Sequence, residues 1–157
     1  RPPPPELRHA LLVGISLFGV LRYHRLWACA SWIGEYGDPE VPADRAFIEK
    51  YSAYQNLKPG VKYPQPYITT NTRDDRVHPG HARKFAARLE AMGVPYLYYE
   101  QTFGGHANDA DPELNARRWA RHYVYPVSYT HLRAHETVLD LVCRLLLEKK
   151  PTQLWQT

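Results

Sequence analysis

Two short stretches hold residue types suited to acid–base chemistry. In Thr72-Arg73-Asp74-Asp75-Arg76-Val77-His78-Pro79, two adjacent carboxylates and an arginine follow a strand-like run, YITTNT (67–72). In Phe103-Gly104-Gly105-His106-Ala107, one histidine sits in a glycine-rich loop after a second strand-like run. An imidazole can take up and return a proton near neutral pH. A carboxylate beside it selects its tautomer and stabilises the imidazolium. Asp74 is therefore a candidate orienting acid and His106 a candidate general base. The flanking glycines leave the loop free to bring the ring to a nucleophile. Taken alone, an acid at a strand end and a histidine in a later loop describe ordinary polar loops just as well.

The nucleophile that such a pair would serve is not evident. The serines before Asp74 are Ser16, Ser31 and Ser52. Ser16, in GISLF, lies in an apolar run with glycine on one side only and reads as a strand serine. Among the other candidates, His24 reads as a satisfied buried histidine. His78 and His81 read as solvent-facing or helix-capping, and Asp75 as a brace for its own loop. The two cysteines, Cys29 and Cys143, cannot build a disulfide framework and lack metal-ligand spacing. Cys29 reads as inert packing. No metal or organic cofactor is implied.

The elements that would position the pair follow from the pattern around it. Residues 11–20 read as a buried strand and its exit, and 22–64 as irregular and aromatic-rich. A short helix is expected from Ala43 to about Lys50. Residues 66–72 form a strand. Pro79 then suits the first turn of a helix, with Ala82, Phe85, Ala86, Leu89 and Met92 on one face and Gly93 as terminator. VPYLYYE (94–100) is the next strand, and roughly Pro112 to His122 the last helix. Strand, helix, strand, loop, helix indicates an α/β class with a parallel sheet and crossover helices. Such sheets place their chemistry at the carboxyl ends of the strands, where Asp74 and His106 both fall.

The bulk composition narrows the function. The chain has 157 residues, 44% hydrophobic and 23% charged, which allows one globular domain with a sizeable core. Its formal charge of +4 is a weak excess spread along the chain and does not argue for a nucleic-acid partner. LLVGISLFGVL (11–21), the longest apolar run, is too short to span a bilayer, so no membrane partner is expected. Compartment and oligomeric state are not readable.

TRDDRVHPGHARKFAARLE (72–90) closely resembles the segment around the triad aspartate of prolyl oligopeptidase-family serine peptidases, and GGHAND (104–109) resembles their histidine loop. LRYHRLWACASWIGEYGDPE (21–40) and YSAYQNLKPGVKYP (51–64) resemble segments between nucleophile and aspartate in bacterial members. The similarity covers roughly residues 17–125. It implies a partial α/β-hydrolase fold with the amino-terminal half and the β-propeller missing. It also implies a peptide substrate cleaved after proline through a Ser-Asp-His triad. Acid before histidine is the order of that fold. By position, Asp74 is the triad aspartate and His106 the triad histidine. Arg76 would bind a substrate backbone carbonyl, and Trp32 would offer a flat wall to the substrate proline. The alternative role for Arg76 is a structural ion pair with Asp75 or Glu100, and for Trp32 plain core. The family's GGSxGG elbow is absent, so the chain alone is expected to be inactive. An esterase or acylaminoacyl peptidase on the same scaffold, or a non-catalytic hydrolase-like binding domain, are the other readings.

Residues 1–126 are read as the carboxyl-terminal part of the peptidase domain and 127–157 as a non-native tail. VSYTHLRAHET (127–137) and LVCRLLLEKK (141–150) resemble in-frame translations of the two ends of a sequencing-library adapter, separated by the length of a sample index. The His131/His135 pair, which otherwise has metal-ligand spacing, and Cys143 carry no function on this reading.

Overall fold

The computed structural model describes residues 10–106 and 111–131. The proline-rich start and the adapter-like tail beyond His131, with His135 and Cys143, lie outside the described residues. The central element is β2 (Pro66–Asn71), buried along its whole length. Its run Ile68-Thr69-Thr70 has the β-branched character of a strand covered on both faces. β1 (Leu11–Gly14) pairs with it in parallel on one side and β3 (Leu97–Gln101) in parallel on the other. The register sets Gly14 beside Thr69 and Gln101 beside Asn71, so the three carboxyl ends form one rim.

Parallel neighbours need crossovers. Between β1 and β2 run two 3-10 turns, Val20–Arg25 and Trp27–Trp32, and the helices α1 (Ile33–Tyr36), α2 (Pro42–Glu49) and α3 (Ala53–Asn56). The short helix expected from Ala43 is α2. Between β2 and β3 runs α4 (Gly80–Ala91). His78 Nδ1 accepts the Gly80 N–H at 2.9 Å and so satisfies a donor that the first turn leaves unpaired. A Cβ at Gly80 would stand 2.7 Å from that nitrogen, so any side chain there would push His78 off its capping position. Ala82, Phe85, Ala86 and Leu89 are buried, as their spacing predicts. The helix ends at Gly93, whose φ of 67° lies in the left-handed region.

Two apolar clusters hold these layers together. Phe18 stacks on Phe85, ring centroids 4.1 Å apart, and joins Leu57, Ile68 and Leu89. Val20, Leu21, Tyr23, Cys29 and Ile48 form a second cluster within the β1–β2 connection. The last helix, α5 (Pro112–His131), is tied to the start of the sheet by Tyr125. Its hydroxyl donates to the Gln65 carbonyl at 2.5 Å and accepts the Leu11 N–H at 2.9 Å.

Three expectations differ from the structure. Residues 11–20 read as a buried strand and its exit, but Leu11 and Leu12 are 45% and 42% exposed. Apolar character predicts cover on both faces, whereas among the described residues β1 is an edge strand with β2 as its one neighbour. The last helix runs to His131 instead of His122, passing through Pro126. Proline removes a helix bond, yet the helix continues through it, with Tyr125 one residue earlier tied to the sheet. His81 is buried at 4% exposure and neither faces solvent nor caps the helix. It falls on the inner side of α4 beside Ala82.

Candidate active site

β2 delivers Asn71 to the rim, and the chain turns through Thr72–Val77. The Asp74 carboxylate is fully buried. Its Oδ1 accepts the N–H groups of Arg76 at 2.9 Å and Val77 at 2.8 Å. This local turn, which Asp forms readily, supplies hydrogen bonds that offset the burial of a polar group. On the other side, β3 ends at Gln101 and the loop turns at Gly104, whose φ is 75°. The Asn71 side-chain amide donates to the Gly105 carbonyl at 2.5 Å, fixing the loop one residue before His106.

His106 Nδ1 stands 3.0 Å from both carboxylate oxygens of Asp74. A proton on Nδ1 bonds the carboxylate and leaves Nε2 as the basic nitrogen. No described residue bonds Nε2. The imidazole side chain is 31% exposed and borders a cavity of about 280 Å³. Gly14, Thr70, Tyr99 and Trp119 share its wall. So does Ile15, whose φ of 48° is unusual for a β-branched residue and marks a sharp exit from β1. His122, on the same wall, is held below the ordinary imidazole pKa by burial, with Arg118 and Arg121 adding to the effect.

The other sequence candidates fall close by in the fold. The Arg76 side chain is exposed and makes no ion pair among the described residues. Glu100, its suggested partner, is bound instead by Arg83. Trp32 is half-buried, packs against the second cluster and meets Tyr36 edge to face at 6.3 Å. His24 is bonded through Nε2 to Glu40 at 2.9 Å. Cys29 is completely buried, and desolvation pushes its thiol pKa up. Its Sγ–H donates to the Arg76 carbonyl at 2.9 Å, which ties the aspartate loop to the segment carrying Trp32. Every described serine is engaged elsewhere. Ser16, Ser31 and Ser128 donate to nearby carbonyls, and Ser52 serves the Val20 N–H, so none bonds His106.

Sequence reasoning missed two braces of this arrangement, Asn71 and Cys29. Both act on backbone carbonyls of the two loops, a role that leaves no periodic signature. The one available signal was Asn71's place at the end of the central strand.

Residues 5–131 match the prolyl oligopeptidase family. The chain belongs to that family. It is 46% identical over 121 residues to a protein named uncharacterized peptidase y4nA from Sinorhizobium fredii, covering 77% of this chain and 17% of that one. It is 34% identical over 106 residues to a prolyl endopeptidase from Elizabethkingia miricola, covering 65% and 15% respectively. The solved structure of a post-proline cleaving enzyme from Rickettsia typhi superposes with a TM-score of 0.71 at 35% identity, over 76% of this chain and 17% of that one. The chain thus spans a small part of its relatives' length. The parallel sheet with crossover helices is part of the α/β-hydrolase fold of these peptidases. No described helix is long and apolar enough to cross a membrane. No described group of three or more His, Cys, Asp or Glu residues could hold a metal ion.

Proposed function

We propose that this segment supplies the acid and base of a serine peptidase that hydrolyses short peptides after proline. The observation that carries the reading is the His106 Nδ1 contact with a buried Asp74 carboxylate at the sheet rim. In this mechanism Nε2 takes the proton of a serine hydroxyl as the oxygen attacks the scissile carbonyl. Asp74 stabilises the imidazolium, which then protonates the leaving amine, and water releases the acyl group by the same route. The serine is one that these 157 residues do not contain. Arg76, exposed and unpaired, donates to a substrate carbonyl. Trp32 presents its indole face to the substrate proline. The names of the relatives, prolyl endopeptidase and post-proline cleaving enzyme, support the specificity. Within the chain, residues 1–126 are the peptidase part and 127–157 a non-native tail.

Two assays test this. The purified 157-residue chain is expected to show no turnover of a proline-containing fluorogenic peptide, since loss of a triad serine costs roughly a millionfold. Turnover that a serine reagent abolishes would refute that part. In a complete peptidase carrying this segment, His106→Ala is expected to abolish measurable cleavage. Undiminished cleavage would favour a binding domain instead.

A further inference from the structure

A second cleft, of about 680 Å³, lies between α4 and the first 3-10 turn. Its chemistry differs from that of the rim. Lys84 and Arg88 line it from α4, one turn apart and on the same face. Arg22 and Arg25 line it from the 3-10 turn, where residues three apart eclipse each other and project to one side. Two basic rails thus border one cleft, and no carboxylate is among its lining residues. Glu40 reaches Arg25 from outside and offsets a single charge. Arg88 lies over the Tyr54 ring at 4.8 Å and donates to the Leu57 carbonyl. Arg22 and Lys84 have no counter-charge among the described residues.

An independent feature sits on the same wall. His81, 4% exposed, lines the cleft, and its Nδ1 accepts the Gly19 N–H at 3.4 Å. The remaining proton is therefore on Nε2, and this buried donor has no acceptor among the described residues. That nitrogen is itself enclosed by protein, so an anion in the cleft would act on the ring through its charge, which makes His81 a reporter of the site. The surplus of charge calls for a multivalent anion, and arginine forks match the geometry of phosphate oxygens. Leu26 and Met92 add an apolar border.

We propose that this cleft binds a small phosphoryl-bearing ligand, held by Arg22 and Lys84 across the groove. The proposal does not depend on the peptidase reading. It is tested by titrating pyrophosphate into the chain and into a complete peptidase carrying it, by calorimetry and by the His81 imidazole ¹⁵N signals. One saturable site with a shifted His81 resonance is expected, with weaker binding of malonate. The double variant Arg22→Glu/Lys84→Glu alters exposed side chains only, and its melting curve checks folding. It is expected to weaken binding about a hundredfold, as the loss of two charge-assisted contacts implies. His106→Ala is expected to bind normally, so the two readings fail separately. Equal affinity for malonate, an unmoved His81 signal or an unaffected double variant would each overturn the assignment. Binding to the chain but not to the complete peptidase would also overturn it, because polypeptide would then fill the cleft.

Discussion

The tripeptide Gly-His-Ala occurs twice in this chain, at 80–82 and at 105–107, and its two histidines have opposite surroundings. His106 follows a strand end, is part-exposed, and meets a carboxylate through Nδ1. His81 sits in the first turn of α4 and is buried. Burial, helped by His78 and Lys84, drives its pKa down to about 4. The first ring turns Nδ1 to the carboxylate and leaves Nε2 unbonded among the described residues, and the second is held neutral. Identical local sequence thus yields a part-exposed ring against a buried acid in one place and a packed donor in the other. The deciding factor is which group the fold sets against Nδ1: a buried acid for His106, a backbone N–H for His81.

The sharpest test removes the partner that makes His106 different. In a complete peptidase, Asp74→Asn preserves the size of the side chain but presents the wrong hydrogen-bonding pattern to Nδ1. Turnover is expected to fall about ten-thousandfold, the cost of a misplaced tautomer in a Ser-His-Asp triad. Steady-state kinetics at neutral pH checks this. A loss of less than tenfold would mean that the Asp74 contact does not orient a catalytic base.

Much of this contrast was legible in the residues, though unevenly. β2 and α4 could be read because a β-compatible run such as that around Ile68 marks a covered strand and helical spacing reports a buried face, as Phe85 does. The proximity of Asp74 and His106 followed from both lying just past strand ends of one parallel sheet. His81 was misread because its position one residue from Ala82 admits either face of the helix, and only packing with Gly19 decides between them. β1 was misread because Leu11 and Leu12 reveal a preference for cover without saying what provides it. The length of α5 was hidden by Pro126, which ordinarily ends a helix.

Asn71 sharpens the comparison from the loop side. Its amide holds the Gly105 carbonyl, so it sets where His106 stands without touching any reacting atom. Asn71→Ala in the complete peptidase is expected to lower kcat about ten- to a hundredfold, the scale of a small misplacement of a catalytic group. KM is expected to change little. An unchanged kcat would show that the loop is held by other contacts.

The pH dependence of stability separates His81 from the rest of the sheet. Its folded pKa of about 4 lies below the unfolded 6.5, so the unfolded chain binds the proton more readily. Its contribution is whole above pH 6.5 and is lost as pH falls toward 4. Glu100 acts lower in the scale. The hydrogen bonds from Arg83, joined by those of Tyr98 and Thr72, hold it at about 2, so its contribution is whole above about 4.5 and fades toward pH 2. His81→Asn, whose Oδ1 keeps an acceptor at the Nδ1 position for the Gly19 N–H, is expected to flatten the melting temperature between pH 6.5 and 4. Arg83→Gln should alter only the slope below 4.5. A His81→Asn profile parallel to the parent across pH 4 to 6.5 would contradict the assignment.

The smallest expected effect tests the tie between the aspartate loop and the segment of Trp32. Cys29 is fully buried, and its thiol is the donor to the Arg76 carbonyl, within the turn whose N–H groups hold Asp74. Cys29→Ala leaves that carbonyl unpaired and a small void behind it, which is expected to cost about 1–3 kcal/mol of stability. Cys29→Ser replaces the donor in nearly the same place. Chemical denaturation should therefore rank the parent first, serine next and alanine last. Catalysis in the complete peptidase should follow the same order, because loosening Arg76 also loosens the two N–H groups that hold the carboxylate opposite His106. If alanine and serine are equally destabilised, the thiol acts by volume alone, and the aspartate loop owes its position to Asp74's own turn.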